Sequence, residues 1–310
     1  MFTEAQLYSP VTRSGDGDVV VHLSDEHPGV HDPDYRARRN AIAAMALDYA
    51  PGKPLPHIDY TDEEQQVWRI VSAELARKHQ KYAAAEVLAA AARLALPTDH
   101  IPQLDEVSAA LTPLTGFRYA PAAGLVPLRE FFGSFADRIF HSTQYIRHHS
   151  APLYTPEPDT IHEVIGHANQ IASPRFAAIY ETVGAAVARL TTETALKFLA
   201  DVFWFSMEFG VVREKGEIRC YGAGLLSSYG EIEEFRQAEL RPLDIAMMGT
   251  AVYDITHYQP ILYCAQSISE IEDVIGGFFA TMDDDSPQRA LHDKRNVTHH
   301  RLNSNVAGRH

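Results

Sequence analysis

Helix-start signals recur along this chain wherever proline or glycine breaks it, and they restrict the fold to one built mainly from helices. Asp32-Pro33 pairs an N-cap residue with proline in the first turn, opening an amphipathic helix through Leu47. Pro51-Gly-Lys-Pro-Leu-Pro56 reads as a linker. Thr61-Asp-Glu-Glu64 is a capping box, followed by Val67, Ile70, Val71 and Leu75 at helical spacing. A short helix is predicted from Asp105 to Leu111. Another begins at Pro127, with an apolar face of Leu128, Phe131, Phe132 and Phe135. Ser173-Pro174 caps a helix towards Leu190, Thr192 begins the one that leads to Glu208, and Ser267-Ile-Ser-Glu270 opens a last one ending near Met282. Strand signals are few and short, the best being Val19 to Leu23 and Glu217 to Tyr221. No internal repeat and no strand–helix alternation of the doubly wound kind is present. The expected fold is mainly α: a single helical domain over residues 55–283 with a few short strands. An N-terminal arm and helix (1–54), loosely attached up to about residue 31, precedes it, and a polar tail (284–310) carrying His299-His300 is expected to be disordered.

Charge narrows the function classes. Against 27 basic residues stand 41 acidic ones, a net charge of −14. Such a field repels phosphate backbones and anionic lipids, which argues against nucleic acid or membrane partners. Apolar content of 45% and charged content of 22% fit a soluble globular protein. No stretch approaches the roughly 18 apolar residues that a membrane helix needs. Met1 to Pro10 carries Glu4 and lacks the basic start and apolar stretch of a signal peptide. Two cysteines, Cys220 and Cys264, make no disulfide framework, so a cytoplasmic location is expected.

The chemistry concentrates in Thr155-Pro-Glu-Pro-Asp-Thr-Ile-His162-Glu163-Val-Ile-Gly-His167. Two imidazoles plus one carboxylate form the ligand set of a facial triad, which leaves half an octahedral iron(II) open. Glu208 supplies a candidate carboxylate, because it interrupts the apolar run Val202-Phe-Trp-Phe-Ser-Met-Glu-Phe. A buried unpaired carboxylate takes up a proton or binds a cation. Spacing does not decide the matter. On an α-helix, His162 and His167 project roughly 140° apart, and can meet on one ion only from both flanks of a face. Gly166 leaves room for that, while a salt bridge from Glu208 to Arg147 or Arg213 is an equally good use of the carboxylate. A zinc hydrolase with Glu163 as general base and a non-catalytic binding protein are the rival readings.

Several longer motifs, in order, carry a resemblance. Phe140-His-Ser-Thr-Gln-Tyr-Ile-Arg147-His, Tyr154-Thr-Pro-Glu-Pro-Asp159, His162-Glu-x-x-Gly-His167, Trp204-Phe-x-x-Glu208-Phe-Gly and Tyr221-Gly-Ala-Gly-Leu-Leu-Ser-Ser-Tyr-Gly-Glu231 resemble the pterin-dependent aromatic amino acid hydroxylases, from about Thr115 to Pro260. The resemblance implies Fe(II) on His162, His167 and Glu208, with dioxygen as co-substrate. It also implies a tetrahydropterin (tetrahydrobiopterin or related) stacked on Phe131, bonded by the backbone near Gly124, Leu125 and Val126, and approached by Glu163 through water. The substrate carboxylate would lie on Arg147, helped by Thr155, Ser227 and Ser228. His141 and Trp204 would pack near the aromatic ring, and Tyr154, Pro158 and Glu163 would border the reacting centre. One oxygen atom would enter the ring of a free aromatic amino acid and the other would leave on the pterin. About fifty residues ahead of the core are too few for the regulatory domain of animal relatives, and the tail lacks heptads. A catalytic domain alone, monomeric or a weak dimer, is therefore expected.

The resemblance also ranks substrates. Trp204 matches phenylalanine and tyrosine hydroxylases, whereas tryptophan hydroxylases carry Phe there. Ile255, ahead of Thr256-His-Tyr-Gln-Pro260, matches an apolar position of phenylalanine hydroxylases. Conversion of phenylalanine to tyrosine is the first expectation, with tryptophan 5-hydroxylation as an alternative. Ala168-Asn169-Gln170 departs from the family, which places Pro and Leu at the last two positions. Asn169 is therefore a candidate pocket residue and a 3-hydroxylase making meta-tyrosine a live alternative; the plainer reading is that Asn169 bonds local backbone.

Overall fold

The computed structural model describes residues 9–254 and 257–292. Helix α1 (Pro33–Asp48) starts where Asp32 accepts from the N–H groups of Asp34 and Tyr35. Helix α2 (Asp62–Tyr82) starts on the reciprocal Thr61–Glu64 capping box. Then come α3 (Ala85–Leu94), α4 (Leu104–Thr115) and α5 (Leu128–Gly133). Helices α6 (Asn169–Ile171), α7 (Pro174–Val187), α8 (Glu193–Phe203) and α9 (Ala223–Ser227) surround the candidate site. The helix predicted after Ser267 forms, with a π-helical stretch at Ile271–Gly276. Trp68, Phe135, Phe140, Phe176 and Tyr180 are wholly buried in one continuous core that these helices share.

Strands are short, three to five residues each. β1 (Val11–Arg13) pairs antiparallel with β2 (Val19–Val21), and β3 (Arg118–Pro121) pairs parallel with β4 (Ile139–Ser142). β5 (Val211–Glu214), β6 (Glu217–Cys220), β7 (Glu239–Pro242) and β8 (Ile261–Ala265) form a sheet of order β6-β5-β8-β7. Val211 pairs with Cys220 on one side and Cys264 on the other, so the two thiols are held on separate strands and remain free.

Two terminal segments are more tightly held than their composition suggests. The residues expected as a loose arm form the β1–β2 hairpin, which packs Val19 and Val21 against Ala43 of α1. Arg39 of α1 reaches Glu157 at 2.6 Å and lies over the Tyr145 ring at 3.4 Å, while the Ser9 N–H donates to Glu157 at 2.7 Å. A buried charge needs such a partner, so the arm is clamped to the Thr155–Asp159 loop. At the other end, residues 284–292 are not disordered as expected. Asp284 accepts from the N–H groups of Thr191 and Thr192 just ahead of α8, and residues 286–292 are helical. Ile255 and residues 293–310, with His299 and His300, lie outside the described residues.

Candidate metal and pterin site

The awkward spacing of His162 and His167 is resolved by the backbone. His162–Ala168 is a π-helix, whose i→i+5 repeat turns residues five apart back towards one face. At about 4.4 residues per turn, the offset falls to about 50° from the roughly 140° of an α-helix. The two Nε2 atoms lie 3.0 Å apart. A second π-helical turn, Trp204–Glu208, ends α8 and brings Glu208 to them: Oε1 is 3.1 Å from His167 Nε2 and Oε2 is 3.7 Å from His162 Nε2. Gly166 lets the first π-helix approach α9, since a Cβ there would stand 2.6 Å from the Ala223 carbonyl oxygen.

Two imidazole nitrogens and one carboxylate, which meets them through different oxygens, fit around one divalent ion. With metal–ligand bonds of about 2.1 Å, neighbouring octahedral ligands stand about 3.0 Å apart and tetrahedral ones about 3.4 Å apart. The two shorter distances match the octahedral edge, and the third is wider. Two facing imidazole nitrogens tolerate such proximity only with a proton or cation between them. Burial and the neighbouring His167 push His162 down to about 4, so it is neutral near pH 7. Burial also opposes charge on His167, but the Glu208 carboxylate outweighs it and raises the pKa. Burial likewise pushes Glu208 up, and the two imidazoles more than reverse that. The carboxylate thus favours a positive charge on the imidazole beside it, and a metal there would bind with release of any proton held. Glu163 also brings a ligand atom within 4.8 Å of the histidine pair, and its Oε1 accepts from Thr143 Oγ1 at 3.5 Å; Glu208 is preferred as third ligand because its oxygens stand 3.1 Å from His167 Nε2 and 3.7 Å from His162 Nε2.

The outer nitrogens are also held. Ser227 Oγ lies 2.9 Å from His162 Nδ1 and donates to the Ala223 carbonyl at 2.9 Å. Having spent its proton, that hydroxyl accepts from Nδ1–H and leaves the Nε2 lone pair for a metal. Ser227, expected on the substrate, therefore bonds a histidine. Ser228 Oγ accepts from the Glu231 N–H at 3.2 Å.

Strand β4 separates the histidines from a second space. Alternation points Phe140 onto the His167 ring, centroids 4.7 Å apart, and His141 into a cleft of about 840 Å³. Gly124, Leu125 and Val126 line that cleft, faced by Ser9, Val11 and Leu47 of the N-terminal segment. Phe131 packs edge-on against Phe132, Phe135 and Phe140 and remains partly exposed. His141 Nδ1 is buried without a partner among the described residues, and burial lowers its pKa. The three candidate ligands are not part of the cleft lining; Tyr119 joins the two spaces, lining the cleft while its hydroxyl donates to the Glu163 carbonyl at 2.7 Å.

The other candidates divide into those near the histidines and those elsewhere. Asp159, wholly buried, accepts from Arg147 Nε and Nη2 at 2.9 Å each and from the N–H groups of Ile161 and His162. It thereby aims the guanidinium and starts the helix that carries His162. Arg147 Nη1 makes no hydrogen bond among the described residues. Thr155 Oγ1 donates to the Glu157 carbonyl at 2.7 Å, and Pro158 O accepts from Tyr145 at 2.6 Å. Trp204 stacks on Tyr253 with centroids 4.8 Å apart. Tyr154 is 60% exposed, and no contact links it to the cluster among the described residues. Asn169 is buried and donates to the Ile165 carbonyl at 2.9 Å. Asp159 and Tyr180, which lies 2.8 Å from His167 Nδ1, escape sequence reasoning because only the fold brings them to the site.

Comparison with known proteins agrees with this geometry. The model of the biopterin-dependent aromatic amino acid hydroxylases matches residues 18–292. A phenylalanine 3-hydroxylase of Streptomyces coeruleorubidus is 49% identical over 279 residues, covering 90% of this chain and 100% of its own. The phenylalanine-4-hydroxylase of Rattus norvegicus is 41% identical over 84% of this chain, which spans only 58% of that relative. The apo structure of the cold-active phenylalanine hydroxylase from Colwellia psychrerythraea 34H superposes with a TM-score of 0.70 at 29% identity, over 79% of this chain and 94% of that one. No helix among the described residues is long and apolar enough to cross a membrane. The chain belongs to the biopterin-dependent aromatic amino acid hydroxylase family.

Proposed function

We propose that the chain is an iron(II)- and tetrahydropterin-dependent monooxygenase acting on the ring of free phenylalanine at the 3-position. The observation that carries the metal reading is the triangle of two Nε2 atoms and one carboxylate, with both imidazoles bonded through Nδ1. The 3-position is supported by the 49% identity to a phenylalanine 3-hydroxylase over 90% of this chain and 100% of that relative. The second reading, hydroxylation to tyrosine, is supported by the phenylalanine-4-hydroxylases at 39–41% identity.

His162, His167 and Glu208 would hold the iron, which, with pterin and dioxygen, supplies the oxidising chemistry that puts one oxygen atom on the ring and the other on the pterin. The protein contributes order and dryness. Arg147, clamped by Asp159, offers Nη1 to the substrate carboxylate, a charge-assisted contact that orients the amino acid. Thr155 stiffens the adjoining turn, and Trp204 and His141 supply apolar and aromatic walls. Gly124, Leu125 and Val126 bring backbone to the cleft for the pterin edge, Phe131 offers a ring face, and Glu163 reaches the pterin through water. Phe140 and the buried aromatics around it exclude solvent from the oxidising centre. We read the chain as an N-terminal arm over residues 1–54, a catalytic domain over 55–283 and a tail over 284–310, working in the cytoplasm as a monomer or weak dimer.

Anaerobic reconstitution with iron(II), then oxygen, a tetrahydropterin and a mixture of Phe, Tyr and Trp tests the reading. Meta-tyrosine from phenylalanine is expected; tyrosine alone would select the second reading, and no hydroxylated product would refute both.

A further inference from the structure

Behind His167 lies a longer hydrogen-bond chain than the single Ser227 hydroxyl behind His162. Tyr180 OH stands 2.8 Å from His167 Nδ1 and 2.5 Å from Gln170 Oε1. Gln170 Nε2 in turn donates to the Met207 carbonyl at 3.0 Å and the Tyr221 carbonyl at 2.7 Å. Both Tyr180 and Gln170 are 0% exposed, so water cannot substitute for any of these partners.

The directions of these bonds are forced. Carbonyl oxygens only accept, so the Gln170 nitrogen must face Met207 and Tyr221, and its oxygen must face Tyr180. An amide oxygen only accepts, so the single Tyr180 proton goes to Gln170. The phenol oxygen is then left to accept, and the partner it accepts from is His167 Nδ1–H. With Nδ1 protonated, the lone pair of the neutral ring sits on Nε2, which faces His162 and Glu208. The same amide binds the carbonyl immediately before Glu208, so one side chain ties the residue before one ligand to the ring of another.

We propose that Gln170, acting through Tyr180, is a positioning residue of the metal site: it sets the tautomer and ring orientation of His167 and ties that ring to the backbone that carries Glu208. An apolar side chain at 170 would leave the Tyr180 proton free to point at His167 and offer Nδ1 a donor, favouring the tautomer that cannot bind metal through Nε2. The inference rests on the metal reading of His162, His167 and Glu208.

Cobalt(II) binding to the purified full chain, measured by competition with a chelator, tests it without turnover. The wild type is expected to bind one equivalent that Glu208→Ala loses; failure there overturns the metal reading itself. Given wild-type binding, Gln170→Leu and Tyr180→Phe are each expected to weaken cobalt about 10–100-fold, the range for groups that orient metal ligands. The double variant should be no weaker than the worse single one, because Gln170 works through Tyr180. Single variants within threefold of wild type, or losses that add, would overturn the positioning role. Should the variants fold poorly, ¹H–¹⁵N spectra of zinc-loaded, histidine-labelled wild type decide the same point. A protonated His167 Nδ1 is expected, and a bare Nδ1 overturns the proposal.

Discussion

Replacing Gly166 by alanine separates helix propensity from site packing, because the two act in opposite directions. In an ordinary helix interior, Gly→Ala stabilises by up to about 1 kcal/mol. Here the new Cβ would sit 2.6 Å from the Ala223 carbonyl oxygen, 3.2 Å from its carbon and 3.3 Å from its Cβ. The neighbour is backbone, so α9 must move by roughly half an ångström to relieve the contact, and overpacking of this kind costs about 1–3 kcal/mol. The steric term wins or at least cancels, giving a net loss of about 0–2 kcal/mol, or a fall in Tm of up to about 8 °C. The larger effect is on the site. Ser227 stands on α9 and holds His162 Nδ1 at 2.9 Å, so moving α9 turns that ring. Cobalt or iron affinity is expected to fall about 10-fold or more. Differential scanning calorimetry of the metal-free protein and a chelator competition give the two quantities separately. A variant with a raised Tm and unchanged affinity would show that α9 yields freely, and would refute the claim that glycine is needed for this approach.

Three further outcomes follow from the same contacts. Burial raises Glu231 to about 7, so its protonated form is favoured in the folded state and stability falls as pH rises from about 4.5 to 7. Glu231→Gln keeps an acceptor for the Gln259 N–H at 2.7 Å, and should stabilise by up to about 3 kcal/mol at pH 8 and little at pH 4; equal effects at both pH values would refute the burial argument. Asp159→Ala leaves Arg147 buried without its partner and should cost about 3–5 kcal/mol in urea unfolding while raising KM for phenylalanine; an unchanged KM would remove Arg147 from the substrate contact. Asn169→Ala should leave the ratio of ring positions unchanged, because the Asn169 amide is spent on the Ile165 carbonyl, and a shifted product ratio by chromatography would contradict that assignment.

How much of this was legible in the sequence varies with the range of the interaction. Helix starts were readable because a cap is local: Asp32, Thr61 and Ser267 bond N–H groups two or three residues away, and each begins the helix it predicts. Strands of three to five residues were largely invisible, since alternation over so few positions does not stand out, and β5, β7 and β8 owe their pairing to partners far along the chain. Residues 284–292 were misread for a similar reason, because Asp284 is held by Thr191 and Thr192, about ninety positions earlier in the chain.

The site divides in the same way. The ordered motifs around His162, His167 and Glu208 pointed by themselves to the family, while the residue types alone left a metal site and a salt bridge equally open. Sequence could not tell whether those groups meet, since an α-helix would have turned the two histidines apart. The π-helical turns at His162–Ala168 and Trp204–Glu208 decided that, because an i→i+5 repeat returns residues five apart to one face. Tertiary structure likewise turned Ser227 towards a histidine, aimed Arg147 with Asp159, and set Tyr180 and Gln170 behind His167. Donor identity is a property of single residues, whereas the direction of each lone pair depends on partners that only the folded chain brings within 3 Å.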